Sequence, residues 1–299
     1  MTNLPPMAHV TLRRGHLYKY KSLAGGNLAH TLEIIERSLI YCPRPTQLND
    51  PDECRPDFVL DDIADPAYRP QVDAWVRRCI MHRPEHVTEE QIQAELAQLT
   101  QQRLEALLAE ANAEYHTAVD TRYRILSLAD SCENDHLWVR YADNYAGVCL
   151  QFFVDPMFGT AYQMRYSDTV PALDITDNEG FTALNMTALV KRKRWANEGE
   201  YRLIVGDPPI PGDPPLEAQK LRFAPELLTG ILFGYRIPPR EREQLKNAFL
   251  AAPVQRKIFT VFGGVPFRAL QIVPDAIRQG VGRAAHPTAQ AGPPPGQTA

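Results

Sequence analysis

The amino-acid sequence predicts a mixed α+β fold, with mainly antiparallel sheets of short strands and flanking helices. Strand-like and helix-like segments follow one another irregularly, and several strand-like runs are short, which disfavours a doubly wound parallel sheet. Neither GxGxxG nor GxxxxGKS/T occurs, so the signatures of a Rossmann nucleotide site and of a P-loop are missing.

A first strand is expected over 16–21 and a helix over 28–37, where Asn27 suits the cap and Leu28, Leu32 and Ile35 recur at i, i+4 and i+7. A short strand over 39–42 then leads into the polar loop RPTQLNDPDE. There Pro43, Pro45 and Pro51 oppose helix, and the Asn49–Asp50 pair favours an Asx turn that staples nearby backbone. Residues 61–120 read as a helical insertion on the surface. One helix covers 73–82, and Thr88 with Gln91 forms a capping box that opens a longer one through Leu96, Leu99, Leu104 and Leu108.

Strand character returns at 123–128 and 148–154, with a short amphipathic helix over 134–142 between them and Gly147 at the turn. A strand near 161–166, a helix over 181–189 and a strand over 200–205 follow. Further strands are expected at 221–223, 231–233, 257–261 and 268–273, and a proline in its first turn opens a helix over 239–250. The organisation is a flexible N-terminus over 1–15, one α+β domain over 16–277, and a disordered Ala-, Pro- and Gly-rich tail over 278–299.

The 299 residues carry 32 basic and 36 acidic side chains, a net charge of −4, so no global field draws the chain to nucleic acid or an anionic membrane. The start, MTNLPPMAHVTLRRGHLYKY, lacks the uninterrupted apolar core of a secretory signal, and no apolar run approaches the roughly 18 residues of a membrane span, so a cytoplasmic protein without membrane contact is expected. The five cysteines are odd in number and widely spaced, which suits packed thiols rather than disulfides or a metal knuckle, and no metal is expected.

The segment richest in chemistry is KRKRWANEGEYRLI. Four cations, Lys191 to Arg194, precede Trp195, and Glu198, Glu200 and Arg202 share one strand face if Glu198 is already extended. Such carboxylates suit hydrogen bonding to a sugar hydroxyl, stabilisation of an oxocarbenium-like transition state, or acceptance of a proton. The plain alternative is a solvated basic turn followed by an exposed Arg202–Glu200 pair. Asn49, Asp50 and Glu53 form an oxygen-rich set that suits Mg²⁺ or Ca²⁺, although EF-hand spacing is absent and a stapled turn is the plainer account. His136 reads as a helix-surface residue. Trp138 and Tyr141 share a helix face and read more readily as core than as a stacking platform.

Five segments together resemble a large, mostly bacterial family known as domain of unknown function family 2971: LYKYKSL (17–23), LNDPDE (48–53), HLWVRYADNYAGVCLQF (136–152), KRKRWANEGEYRLI (191–204) and ILFGYRIP (231–238). That resemblance implies no activity. More distantly, the order of an aromatic strand, a helix to a short strand and polar loop, a Tyr- and Gly-containing segment and a late glutamate-headed strand is similar to the ADP-ribosyltransferase superfamily. The superfamily pattern implies an NAD-using glycosyl transfer. Glu200 takes the late position on the ribose hydroxyl and Glu198 the acceptor-activating one, Lys19 stands where a His or Arg is usual, and Ser127 or Tyr141 fills the middle role. Tyr20 and Arg202 are placed with them as cofactor-side residues.

Three functions follow as expectations. The first is an ADP-ribosyltransferase-like enzyme acting on a protein or nucleic-acid acceptor as toxin or phage-defence effector, with Lys19, Tyr141, Glu198 and Glu200 in one cleft. The second is a non-catalytic module binding nucleic acid or another phosphate-bearing ligand through Lys191 to Arg194 and Trp195. The third is a metal-dependent hydrolase or nuclease built on Asn49, Asp50 and Glu53.

Overall fold

A computed structural model describes residues 15–50, 53–55, 57–63, 65–154, 161–169, 172–177, 188–209, 215–252, 257–262 and 271–274. The expected N-terminal and C-terminal tails and most of the helix at 181–189 lie outside these residues. Within them the architecture is mixed α+β with mostly antiparallel pairing.

The chain opens with β1 (His16–Lys21), α1 (Asn27–Arg37), β2 (Leu39–Tyr41) and β3 (Asp57–Val59), with a 3-10 turn over Pro45–Gln47 in the proline-rich loop. Asn27 does not cap α1. Gly25 and Gly26 are left-handed (φ 61 and 89), so the chain turns one residue earlier, and Asn27 is already helical, its carbonyl accepting from Thr31 Oγ1 at 2.8 Å.

The insertion follows as α2 (Arg69–Met81), α3 (Glu89–Ala97) and α4 (Gln101–Arg122). The Thr88–Gln91 capping box is present, but the long helix expected beyond it is two helices. Thr100 supplies a second cap, accepting from Arg103 N at 3.2 Å, and so restarts the chain as α4. The three helices do more than cover the surface. Val72, Trp75, Val76, Ile80, Ile92, Leu104 and Leu107 form their own apolar cluster, with Phe58 of β3 and Leu173.

Next come β4 (Tyr123–Ala129), α5 (Asp135–Tyr141), β5 (Val148–Phe153), β6 (Tyr162–Gln163), β7 (Arg165–Ser167), β8 (Ala172–Asp174), β9 (Val190–Arg192) and β10 (Glu200–Gly206). The last part holds β11 (Leu216–Glu217), β12 (Lys220–Arg222), β13 (Leu228–Gly234), α6 (Pro239–Leu250), β14 (Lys257–Phe262) and β15 (Gln271–Pro274). Met164 divides the single strand expected near 161–166, because its amide pairs with Glu200 O while Arg165 N turns to Leu189 O.

Eight strands form one sheet in the order β15-β14-β13-β5-β1-β4-β10-β6, antiparallel except for the β13–β14 pair. Its main core joins Leu17, Leu128, Leu150, Phe152, Leu203 and Phe233 of the sheet to Ile34 and Ile35 of α1 and Leu245 and Phe249 of α6. Burial of each such side chain contributes about 1.5–3 kcal/mol, so the apolar alternation fixes which sheet face carries the helices. All five cysteines are free, and Cys42, Cys54 and Cys149 are buried. No helix among the described residues is long and apolar enough to cross a membrane.

Candidate functional site

The sheet nearly divides in its middle. β1 pairs with β5 through six residues and β4 with β10 through seven, yet β1 and β4 are joined only at Tyr18 and Ala129. Beyond that pair the strands separate, and Lys19 spans the opening by donating from Nζ to Ser127 O at 2.8 Å. The separation holds a cleft of about 410 Å³, bordered by residues 18–22 on one side and 127–129 on the other. The loop at 47–49, Tyr141 of α5, and Lys191, Glu198, Glu200 and Arg202 complete its wall.

At one end the cleft holds a buried charge network. Lys191 Nζ lies 2.6 Å from Glu198 Oε2, 2.9 Å from Glu200 Oε2 and 3.2 Å from Glu53 Oε1. The contact to Glu53 is an ion pair without hydrogen-bond alignment, since Glu53 Oε1 has no hydrogen-bond partner. Arg202 donates from Nε to Glu200 Oε1 at 2.7 Å, from Nη1 to Ala188 O at 2.8 Å, and from Nη2 to Glu53 Oε2. All five charged side chains are at most 6% exposed, so each cation offsets carboxylate charge that would otherwise be very costly to bury.

Burial opposes the charge on Glu200, but Arg202 and Lys191, with hydrogen bonds from Arg202 and Ser127, bring its carboxyl down to about 2. Burial likewise opposes the charge on Lys191, and Glu200, Glu53 and Glu198 more than reverse that, holding it above the ordinary lysine value. Glu53 is shifted upward by burial despite Arg202 and Lys191. The cluster therefore presents Glu200 as a fixed anion at neutral pH.

Local backbone brings these groups together by two devices. Glu200 and Arg202 share a face of β10 by strand alternation, as expected. Glu198 is not extended. It ends a 3-10 turn over Lys193–Glu198, and left-handed Gly199 (φ 53) swings the chain into β10. The left-handed backbone at 199 favours glycine, and a Cβ there would also crowd the Asp130 carboxylate. Asn134 fastens the turn to α5: its Oδ1 caps the helix at Leu137 N, and its Nδ2 donates to Asn197 O at 2.5 Å.

Tyr141 donates to Glu198 Oε1 at 2.6 Å and accepts from Asn49 Nδ2 at 3.2 Å. Burial, then the bond to Glu198, raises its pKa, so the phenol is a neutral donor and not a base. Tyr166 OH accepts from Glu200 N at 2.9 Å, and its phenol is pushed up to about 12, chiefly by burial.

The structure thus gathers Lys19, Ser127, Tyr141, Glu198, Glu200, Arg202, Asn49 and Glu53 around one cleft. Tyr20 borders it, but its hydroxyl donates to Ser131 O at 2.9 Å and accepts from Asn134 N, away from the charge network. Trp138 is fully buried, bonded to Cys132 O and stacked on Tyr145 at 5.4 Å, so of the pair on α5 only Tyr141 faces the site. His136 is exposed on α5, as expected.

Asn49 and Asp50 reach across the chain rather than only to nearby backbone. Asp50 Oδ2 accepts from Trp195 Nε1 at 2.7 Å and Arg194 at 3.2 Å, whereas Glu53 faces Arg202 and Lys191. Asn49, Asp50 and Glu53 therefore turn to different partners, and the described residues contain no group of three His, Cys, Asp or Glu placed to hold a metal. Nor does the cation run form one solvated patch. Lys191 is buried, Lys193 pairs with Asp168 at 3.6 Å, and the Trp195 ring already has Arg140, Lys191 and Arg194 at 4.5, 4.9 and 5.6 Å from its centre.

Sequence reasoning missed the central part of Lys191 and the placement of Lys21, Arg140 and Tyr166. The one available signal was that Lys191 follows the apolar run Ala188–Leu189–Val190, which carries it into a buried strand. Compared with protein-family models, with curated proteins and with solved structures, the chain matches none.

Proposed function

We propose that this chain is an NAD-using ADP-ribosyltransferase-like enzyme, a member of domain of unknown function family 2971, and that the cleft between β1 and β4 is its active site. The observation that carries the reading is convergence: Lys19, Ser127, Tyr141, Glu198 and Glu200 come from four distant segments and border one cleft. These are the residues that the resemblance to that superfamily assigns to NAD and its acceptor.

Glu200, held ionised by Arg202 and Lys191, bonds a ribose hydroxyl and offsets the positive charge that develops at the anomeric carbon. The bond from that carbon to the nicotinamide nitrogen breaks with its electron pair going to nitrogen, and a bond from the acceptor oxygen or nitrogen replaces it. Glu198 takes the acceptor proton, with Tyr141 fixing one of its oxygens. Acceptors are side chains or bases of macromolecules.

The test is nicotinamide release from NAD, measured with thermal stabilisation by NAD. Wild type is expected to show both, and Glu200→Gln to lose about 10²–10³ in turnover while keeping its circular dichroism. Glu198→Gln is expected to reduce transfer to an acceptor more than hydrolysis to water. Absence of nicotinamide release by the wild type would overturn the reading, whether or not NAD stabilises the fold.

A further inference from the structure

The buried cations of the cleft differ in how they are compensated. Lys191 has three carboxylates within 3.2 Å and Arg202 has two. Lys19 and Lys21, two residues apart on β1, project to the same side of the strand and border the same cleft. Neither has a carboxylate partner among the described residues: Lys19 meets the Ser127 carbonyl, and Lys21 meets no polar side chain. Both are partly buried.

An ammonium withdrawn from water without a counter-charge is unfavourable, and two beside each other are more so. The physical consequence is visible in both. Burial, then Lys21, brings Lys19 down to about 8, although Glu200, Cys42 and Glu198 act through space in the other direction. Burial alone lowers Lys21. Ser22, next to Lys21 in the chain, and Asn27 also line the cleft and add a hydroxyl and an amide.

We propose that the Lys19–Lys21 end of the cleft is an anion subsite that takes a phosphoryl or diphosphoryl group, with Lys19 and Lys21 as its charged ligands and Ser22 and Asn27 as neutral donors. Charge decides the class. A group with several oxygens and at least one negative charge meets two ammonium groups, whereas the carboxylate end repels it. The subsite stands independently of glycosyl transfer, since any phosphate-bearing ligand suits it. Should the cleft hold NAD, this end is where its diphosphate lies, and the carboxylate end takes the ribose.

The groups facing Lys19 are Lys21 on its own strand, Glu198 and Glu200 across the cleft, and the Cys42 thiol. An anion bound here favours the protonated amine, so binding near pH 8.5 draws in a proton. The site therefore has a signature that a merely structural lysine lacks.

The experiment is calorimetric titration of the whole chain with inorganic pyrophosphate, at pH 7 and at pH 8.5 in buffers of different ionisation enthalpy. Binding that weakens with salt is expected in the wild type, with proton uptake at pH 8.5. Lys21→Gln is expected to weaken binding about tenfold or more, and Lys19→Gln also to abolish the uptake. Glu198→Gln should bind at least as well as wild type, and Lys21→Arg should keep most of the affinity, which controls for folding. A parallel titration with adenosine diphosphate separates the sources: tighter binding than pyrophosphate points to a nucleotide, equal binding to the free anion. No binding by wild type, or equal binding by Lys21→Gln, overturns the proposal. Pyrophosphate binding without nicotinamide release leaves the subsite standing and removes the glycosyl-transfer reading.

Discussion

The buried network around Lys191 and the ion pairs on the helical insertion are made of the same residue types and do different things. In the cleft, Lys191 and Arg202 meet Glu53, Glu198 and Glu200 with every side chain nearly hidden from water. On the insertion, Arg83 meets Glu95 at 2.8 Å with side chains 32% and 41% exposed, and Arg69 meets Asp73 at 2.7 Å in similar surroundings. Water screens the second set and leaves each pair optional. It is excluded from the first, so removal of one member leaves a bare charge behind. The lesson concerns geometry more than stability: a buried network of this kind is no cheaper than an apolar core, but it tolerates one arrangement only.

The largest expected effect breaks that network. Arg202→Met leaves Glu200 and Glu53 facing Lys191 alone and is expected to cost about 3–5 kcal/mol, read from urea denaturation midpoints. A loss below about 1 kcal/mol would show that the cluster is as replaceable as a surface pair.

Acid and alkali sharpen the comparison between the two ends of the cleft. Glu200 is depressed from 4.5 to about 2, so its contribution is complete above pH 4.5 and is lost as pH falls from there towards 2. Lys19 is depressed from 10.5 to about 8, so between those values the unfolded chain binds the more protons and stability rises with pH. Urea midpoints are therefore expected to rise with pH in both windows, over pH 2–5 through Glu200 and over pH 8–10.5 through Lys19. Glu200→Gln should flatten the first slope and Lys19→Gln the second.

The smallest effect lies on the insertion. A double-mutant cycle on Arg83 and Glu95 is expected to yield a coupling of roughly 0.2–1 kcal/mol that shrinks with added salt. A coupling as large as the loss at Arg202 would erase the distinction between the regions.

What was legible in the sequence were features decided within a few residues. The bounds of β1 and α6, the Thr88–Gln91 box and the shared face of Glu200 and Arg202 all follow from local pattern. What escaped was decided by distant partners or by one unread conformational signal. Gly199 in NEGE was the sign that Glu198 lies in a turn, and Thr100 the sign that the insertion breaks into α3 and α4. Lys191 looked like one of four solvated cations because its three carboxylates sit seven, nine and 138 residues away. Nothing in the run KRKR distinguishes the one that is buried.

The single residue pair joining β1 to β4 has a further consequence. A full ladder would set the distance between two strands by backbone hydrogen bonds, which side-chain substitutions other than to proline leave in place. Here the gap is spanned by an amine on a four-carbon stem and bordered by side chains from a loop, a helix and a turn. Its aperture is therefore a property that point substitutions can reset, while the ladders on either side keep their register. A scaffold built this way can be fitted to ligands of different size one residue at a time.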